Sequence, residues 1–415
     1  MSNEHSISGR QLGQPATPST ILATMDQCTK CGVCQSHCPV LAATPEFPGP
    51  KYAGPQAERF RIIEQVIEHS SDLCTGCGIC TSVCPNDVAI SDIIALAKAG
   101  KTQNGSPIPL GQKLLNRPDM VGMLGGLAPR IANAVLGNRG MRRFAEAVLG
   151  IHRHAPLPKF SGPAFRKWLA SHQQPQGPEI LYFSGCAVEN FDPKVGIAAV
   201  RLLNKLGYNV VIPSQACCSL PMLSSGEWAP ARKRTENLVN DLASRLGPAP
   251  AIVTSSTSCG LTLKSKYAAY LDMNSGNAKS VSSSTSDICE FLRERGIDAL
   301  TKHLKTLKRR IFYHAPCQLR GHGIGFPALE LLRSIDGLNI DVSNASCCGI
   351  GGTYGYDEKK YGISMEIAKP LSEQVRDSSP DLIVCDSETC RWHLEAITGV
   401  QAVHPIEVLA MSIDM

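Results

Sequence analysis

The sequence is poor in aromatic residues, which fill 5% of its 415 positions, and only 19% of its residues are charged. It lacks any run of about 18 consecutive apolar residues, the length a membrane-crossing helix needs, so contact with a bilayer is expected to be peripheral. The opening MSNEHSISGRQLGQPATPST has no basic start followed by an apolar stretch and no twin-arginine pair. Export is therefore not expected, and thiols kept in a reducing compartment stay free of disulfides. A flavin or nicotinamide fingerprint is also missing. The nearest approach, Gly349-Ile-Gly-Gly-Thr-Tyr-Gly355, puts Tyr354 where the third glycine belongs and follows a cysteine pair instead of a buried strand. Hydride removal from a substrate would then fall to a partner.

What the chain does have is cysteine, 18 in all, within an ordinary globular composition of 43% hydrophobic residues. Its length suits two or three domains, since single cores stop growing near about 250 to 300 residues. The segments C-T-K-C-G-V-C-Q-S-H-C-P and C-T-G-C-G-I-C-T-S-V-C-P each follow the C-x2-C-x2-C-x3-C-P run of bacterial two-cluster ferredoxins. A tetrahedral zinc site uses paired hooks and has no place for a third cysteine at the same interval. In the ferredoxin run the fourth cysteine completes the other cube. Cys28, Cys31, Cys34 and Cys84 are thus expected to hold one 4Fe-4S cluster, and Cys74, Cys77, Cys80 and Cys38 a second. A helix over residues 57–69, with Phe60, Ile63 and Ile67 at helical spacing, links the two runs, and a further helix follows over 91–99.

After Pro178 strand and helix patterns alternate, and the two halves repeat. Strand-like Ile180–Phe183 and Ile311–Tyr313 lead to Cys186 and Cys317. Helix and strand follow, then the pairs Cys217-Cys218 and Cys347-Cys348, at intervals of 31 and 30 residues. Strands at 252–254 and 382–384 then lead to Cys259 and Cys390, 41 and 42 residues beyond the pairs. Adjacent thiols on a tight turn are poorly placed to bond each other but can both face a metal. This gives two candidate metal sites, Cys186, Cys217, Cys218 and Cys259 in one unit and Cys317, Cys347, Cys348 and Cys390 in the other, each for an iron–sulfur cluster or zinc. Cys385 reads as a structural strand residue with a ligand role as the alternative, and Cys289 as a plain buried thiol.

The expected fold class is mixed, a mainly helical two-cluster ferredoxin-type domain followed by two repeated α/β units. The boundaries are a disordered tail at 1–24, the cluster domain at 25–100, a basic helical segment and linker at 101–178, and the repeats at 179–300 and 301–415. Between Lys98 and Lys167, twelve Lys or Arg face only Asp119 and Glu146, so this stretch is +10 and the remainder −5. Pro118 and Pro129 mark helix starts there, and 155–178 reads as a Pro-rich linker. Met120, Leu124, Leu127, Ile131 and Val135 recur at helical intervals beside Arg130, Arg139, Arg142 and Arg143. That is the pattern of an interfacial helix on anionic lipid, against the alternatives of an acidic partner or packing on the protein itself. Nucleic acid is not expected, because no recognition fold accompanies the charge. His152 and His154 read as solvated.

The paired-cysteine units resemble the cysteine-rich CCG domain family, found in heterodisulfide reductase and in iron–sulfur subunits of glycolate, lactate and glycerol-3-phosphate dehydrogenases. In that family the last element is C-x2-C. Here Ser256 and Ser387 stand at its first position, and Ser219 replaces the glycine after the first cysteine pair, which puts a five-thiolate cluster in question. The insert from Cys38 to Cys74 resembles the helical variant in succinate and fumarate dehydrogenases. From Cys28 onward, the P-G-P-K-x-A-G-P turn (Pro48 to Pro55), L-P-K-F with F-R-K-W (Phe165 to Trp168), Y-H-A-P-C and C-C-G-I-G-G-T-Y-G are similar to the iron–sulfur C subunits of anaerobic glycerol-3-phosphate dehydrogenases. The resemblance implies a non-catalytic electron-transfer subunit at the cytoplasmic face of the inner membrane. It would take electrons from flavoprotein dehydrogenase subunits, pass them to membrane quinone and help anchor the complex. The alternatives are a member of a glycolate or lactate dehydrogenase complex, a heterodisulfide-reductase-like catalytic subunit, and a zinc-stabilised scaffold. His314, Tyr354 and His322, near cysteines, read as structural groups before proton carriers or quinone contacts.

Overall fold

The computed structural model describes residues 16–64, 69–214, 216–247 and 251–413. The region after Pro178 forms two four-stranded parallel sheets of the same order. The first comprises β1 (Glu179–Phe183), β2 (Asn209–Val211), β3 (Ile252–Thr254) and β4 (Thr285–Asp287) in the order β2-β1-β3-β4. The second comprises β5 (Arg309–Tyr313), β6 (Leu338–Val342), β7 (Leu382–Val384) and β8 (Ala402–Val403) in the order β6-β5-β7-β8. Parallel pairing requires a crossover, and helices such as Pro193–Lys205 and Pro327–Arg333 supply it. The registers match as well, Leu181 opposite Ile252 and Ile311 opposite Leu382.

Alternation along the strands decides how the units pack. Ile180, Tyr182 and Val253 of the first sheet share one buried core with Ile311, Tyr313 and Val384 of the second. The intervening residues point the other way. Leu181, Phe183 and Ile252 meet the ferredoxin-type region, whereas Phe312, Ile383 and Cys385 meet Ile151, Ala155 and Tyr356. Each such side chain contributes about 1.5–3 kcal/mol through burial, so the halves are held as one body.

The ferredoxin-type region is built as two short helices, Val33–Ser36 and Ile79–Ser82, each entered through a left-handed glycine, Gly32 at φ 88° and Gly78 at φ 79°. No side chain tolerates that turn as well. Behind them the helix Ile90–Gln103 buries Ile90, Ile93 and Ile94 beside Phe47. Lys266 of the first repeat pairs with Asp92 of this helix at 2.8 Å.

Several expectations change. Within the tail expected to be disordered, Pro18–Ala23 is a helix capped by Thr17, with Ile21 buried; residues 1–15 lie outside the described ones. In the Ala57–Glu64 helix, Phe60 and Ile63 face outward at 60% and 78% exposure, because Ala57 and Glu58 take the inward positions, Glu58 pairing with Arg61 at 2.8 Å. Ile67 lies outside the described residues. The Pro-rich linker contains the helix Ala164–Ser171, whose Phe165 is buried edge-on against Tyr182. His152 is packed, not solvated; it stacks on Tyr361 at 3.8 Å, while His154 is exposed. The strands β4 and β8 add to the three per unit that the sequence pattern predicts.

Candidate metal centres

The two ferredoxin-type runs fold so that their cysteines regroup across the sequence. Burial raises the Cys34 thiol, and the neighbours that raise it further are Cys84, Cys28 and Cys31. Burial likewise raises Cys80, helped by Cys77, Cys74 and Cys38 and, least, by Cys34. The neighbours of each thiol thus come from both runs. Cys38 is pushed up to about 11, mainly by burial.

The repeats bring their cysteines together in the same way. In the first unit hydrogen bonds run from Cys186 to Cys217, on to Cys218 and on to Cys259, all four raised in pKa. In the second, Cys317 meets Cys347, Cys347 meets Cys348, and Cys348 lies 3.0 Å from Cys390. All eighteen cysteines are free thiols. In each unit three buried thiols and one half-buried thiol run side by side with no disulfide among them, a donor set suited to a thiolate-bound metal centre.

Cys385, expected as a structural strand residue with a ligand role as the alternative, lies next to the second set. It is fully buried, and its thiol hydrogen-bonds that of Cys390, giving the second unit a fifth sulfur. Thr254 holds the corresponding place in the first unit. The serines at the family's missing cysteines have other work. Ser256 caps the helix carrying Cys259 and donates to Glu388 of the other repeat at 3.1 Å. Ser219 sits in the left-handed region at φ 63°, where its counterpart is Gly349 at φ 91°.

Both repeat sites open onto one cavity of about 540 Å³. Cys186, Cys217, Cys218 and Cys259 line it together with Cys317, Cys347, Cys348 and Cys390. Its roof is the basic segment, which forms the helices Leu110–Leu115, Pro118–Leu127, Pro129–Gly137 and Arg139–Leu149. The roof is clamped to the first repeat by ion pairs Arg117–Glu227 and Arg234–Asp119, with Asn116 donating to Glu227 at 2.8 Å. To the second repeat it is tied by Gln112 on Thr353 and by the His152 amide on the Tyr356 carbonyl. Val135, Met141, Phe144 and Val148 line the cavity and are also exposed to solvent, which places its mouth among them. Nothing in the linear pattern points to this chamber, because its walls come from three separate regions.

His314, His322 and Tyr354 do not line the cavity. His314 is buried beside Cys390 and Cys347, and Tyr354 stands between Cys74 and Cys347. His322 joins the repeats through its Nε2–H, which donates to the Thr257 carbonyl at 2.8 Å.

The 4Fe-4S dicluster domain family matches residues 24–88, and the cysteine-rich domain family matches 180–264 and again 311–395. Over 398 residues the chain is 35% identical to the C subunit of the anaerobic glycerol-3-phosphate dehydrogenase of Escherichia coli (strain K12), covering 94% of this chain and 99% of the relative. The chain belongs to this family of C subunits. Two further matches cover less of the chain. The B subunit of the fumarate reductase (CoM/CoB) of Methanothermobacter marburgensis is 31% identical over 59% of this chain and 48% of its own length. Lactate utilization protein A of Macrococcus caseolyticus is 27% identical over 57% of this chain and 98% of its own. As a C-subunit family member, the chain is an iron–sulfur protein of mixed α/β fold, as its motifs led us to expect.

Proposed function

We propose that this chain carries electrons from a flavin-containing glycerol-3-phosphate dehydrogenase to membrane quinone and holds that dehydrogenase at the membrane surface. Cys28, Cys31, Cys34 and Cys84 would hold one 4Fe-4S cluster, and Cys38, Cys74, Cys77 and Cys80 a second. The second repeat would bind a further metal centre through Cys317, Cys347, Cys348, Cys390 and Cys385, and the first through Cys186, Cys217, Cys218 and Cys259. Iron–sulfur clusters supply one-electron carriers whose potentials depend on burial and on hydrogen bonds to sulfur.

One observation carries the reading: the cysteines of both repeats line a single largely apolar cavity whose mouth lies among exposed apolar helices. A hydrophobic acceptor such as a quinone suits that chamber, and its volume is within the usual range for small-molecule sites. Met120, Leu124, Leu127 and Ile131 are 46–79% exposed beside exposed Arg130, Arg139 and Arg143, a surface suited to anionic lipid. The flanking helices Pro118–Leu127 and Pro129–Gly137 are bent by 110°, and no single helix among the described residues is long and apolar enough to cross a membrane.

The test is purification from membranes under anaerobic conditions, followed by assay of the copurifying flavoprotein with glycerol 3-phosphate and a menaquinone analogue. Quinol formation that depends on this chain supports the proposal. A flavoprotein that oxidises only lactate or glycolate would move the chain to that dehydrogenase. A second reading, catalytic reduction of a disulfide, is favoured by the two cysteine sets facing one chamber; a disulfide acceptor in the same assay separates it.

A further inference from the structure

Where the two repeats meet, strand ends from opposite units face each other on two sides. On one side the Tyr182 hydroxyl bonds Ser255 at 2.6 Å. There His404, which follows β8 and caps the helix Pro405–Met411, approaches the Ser255 backbone. On the other side the counterparts are Tyr313 and Asp386, bonded at 2.9 Å, and Asp287, which ends β4 and caps the helix Ile288–Arg295. The fold closes the first junction with a hydroxyl and an imidazole. It closes the second with two carboxyl groups and the thiol of Cys289, so the packing itself does not demand buried acids there.

Asp287, Cys289 and Asp386 are all fully buried. One carboxylate oxygen from each aspartate and the Cys289 sulfur lie within 4.8 Å of one another. Asp287 Oδ1 accepts from the Cys289 amide at 2.8 Å and Asp386 Oδ2 from Tyr313, whereas Asp287 Oδ2 and Asp386 Oδ1 are buried with no hydrogen-bond partner. The nearby side-chain cations are committed elsewhere, Lys264 to Glu290 at 2.6 Å and Arg391 to Asp192 at 2.8 Å. Burial raises both carboxyl groups and the thiol, so without a metal they are held by protons; a cation that displaces those protons would satisfy the two unpartnered oxygens and the sulfur together.

We propose that Asp287, Cys289 and Asp386 bind one zinc ion that joins the two repeats, at a site separate from the iron–sulfur sites. The donor set selects the metal. Calcium and magnesium take oxygen ligands alone, and an iron–sulfur cluster needs more thiolates, while zinc accepts sulfur and carboxylate together. Cys289, which has no counterpart in the repeat pattern, then has a role as a ligand.

The test is metal analysis of the full-length protein, purified anaerobically without added zinc, with X-ray absorption at the zinc edge. We expect about one zinc per chain with a single sulfur neighbour. Asp386→Asn and Cys289→Ser should lose that zinc while iron content and cluster signals stay at wild-type levels. Absence of zinc from the wild type, zinc surrounded by four sulfurs, or zinc content unchanged in Asp386→Asn would each overturn the proposal. Because Cys289→Ser is itself a risk to folding, the wild-type zinc content and its sulfur count decide the matter without any variant.

Discussion

The thiol of Cys77, in the second ferredoxin-type run, lies near that of Cys347, the leading member of the second repeat's cysteine pair; burial and then Cys347 raise it, and Cys77 in turn raises Cys317. The contact is held from both sides. Gln318 donates to the Gly76 carbonyl at 3.4 Å, and Gly351 packs on Thr75 so closely that a Cβ there would meet the threonine side chain at 3.1 Å. The N-terminal cysteines and the chamber between the repeats are therefore parts of one arrangement, with the second repeat next in line.

Cross-ligation makes a specific mutational demand. Cys84→Ser should remove the cluster assigned to Cys28, Cys31 and Cys34 and spare the one assigned to Cys74, Cys77 and Cys80; Cys38→Ser should do the reverse. Iron counting with paramagnetic resonance distinguishes them. Loss of the same signal in both variants would contradict the pairing.

His322 predicts a pH dependence. Burial lowers its pKa to about 4 from an ordinary 6.5, so the folded protein keeps it neutral where the unfolded chain binds a proton. Its contribution is fully present above pH 6.5 and is lost as the pH falls toward 4, about 3 kcal/mol in all. Denaturation midpoints measured across that window should fall less steeply for His322→Gln than for the wild type. Equal slopes would show that the imidazole is not held neutral.

The left-handed turns after the two cysteine pairs should respond in opposite ways. Ser219→Gly relieves a strained backbone and should stabilise the protein by about 1 kcal/mol. Gly349→Ala adds a Cβ against the Ser364 carbonyl oxygen at φ 91° and should cost about 2 kcal/mol or more. Thermal unfolding of both variants tests the contrast, and a destabilised Ser219→Gly would refute it.

The exposed apolar face of the basic segment should bind vesicles containing anionic lipid at low salt and release them partly at high salt. A Leu127→Asp, Ile131→Asp double variant should stay in solution in a flotation assay, with its clusters unchanged. If the variant floats as the wild type does, the face serves some other purpose.

Much of this arrangement is legible in the residues for physical reasons. Ligand spacing is local, so C-x2-C-x2-C-x3-C-P announces both ferredoxin-type runs, and the apolar strands at 180–183, 252–254, 311–313 and 382–384 stand out because parallel strands are buried on both faces. What stays hidden depends on long-range approach. β4 and β8 are short, and β4, Thr-Ser-Asp, carries no apolar signal. Alternation says which face the Cys385 side chain takes but not that Cys390 lies beside it. Phe60 and Ile63 follow the helical period of a core helix, yet periodicity cannot say that Phe47, Ile90 and Ile93 have already filled the core. The chamber needs the repeats and the roof to be placed together.

The most direct measurement of the central claim is a potentiometric titration of the anaerobically prepared protein followed by paramagnetic resonance, with iron and sulfide determined on the same sample. The account predicts two reducible 4Fe-4S signals that interact magnetically, both lost when the cysteines at 28–38 and 74–84 are replaced. Zinc in place of iron at those cysteines, or no reducible signal, would contradict it.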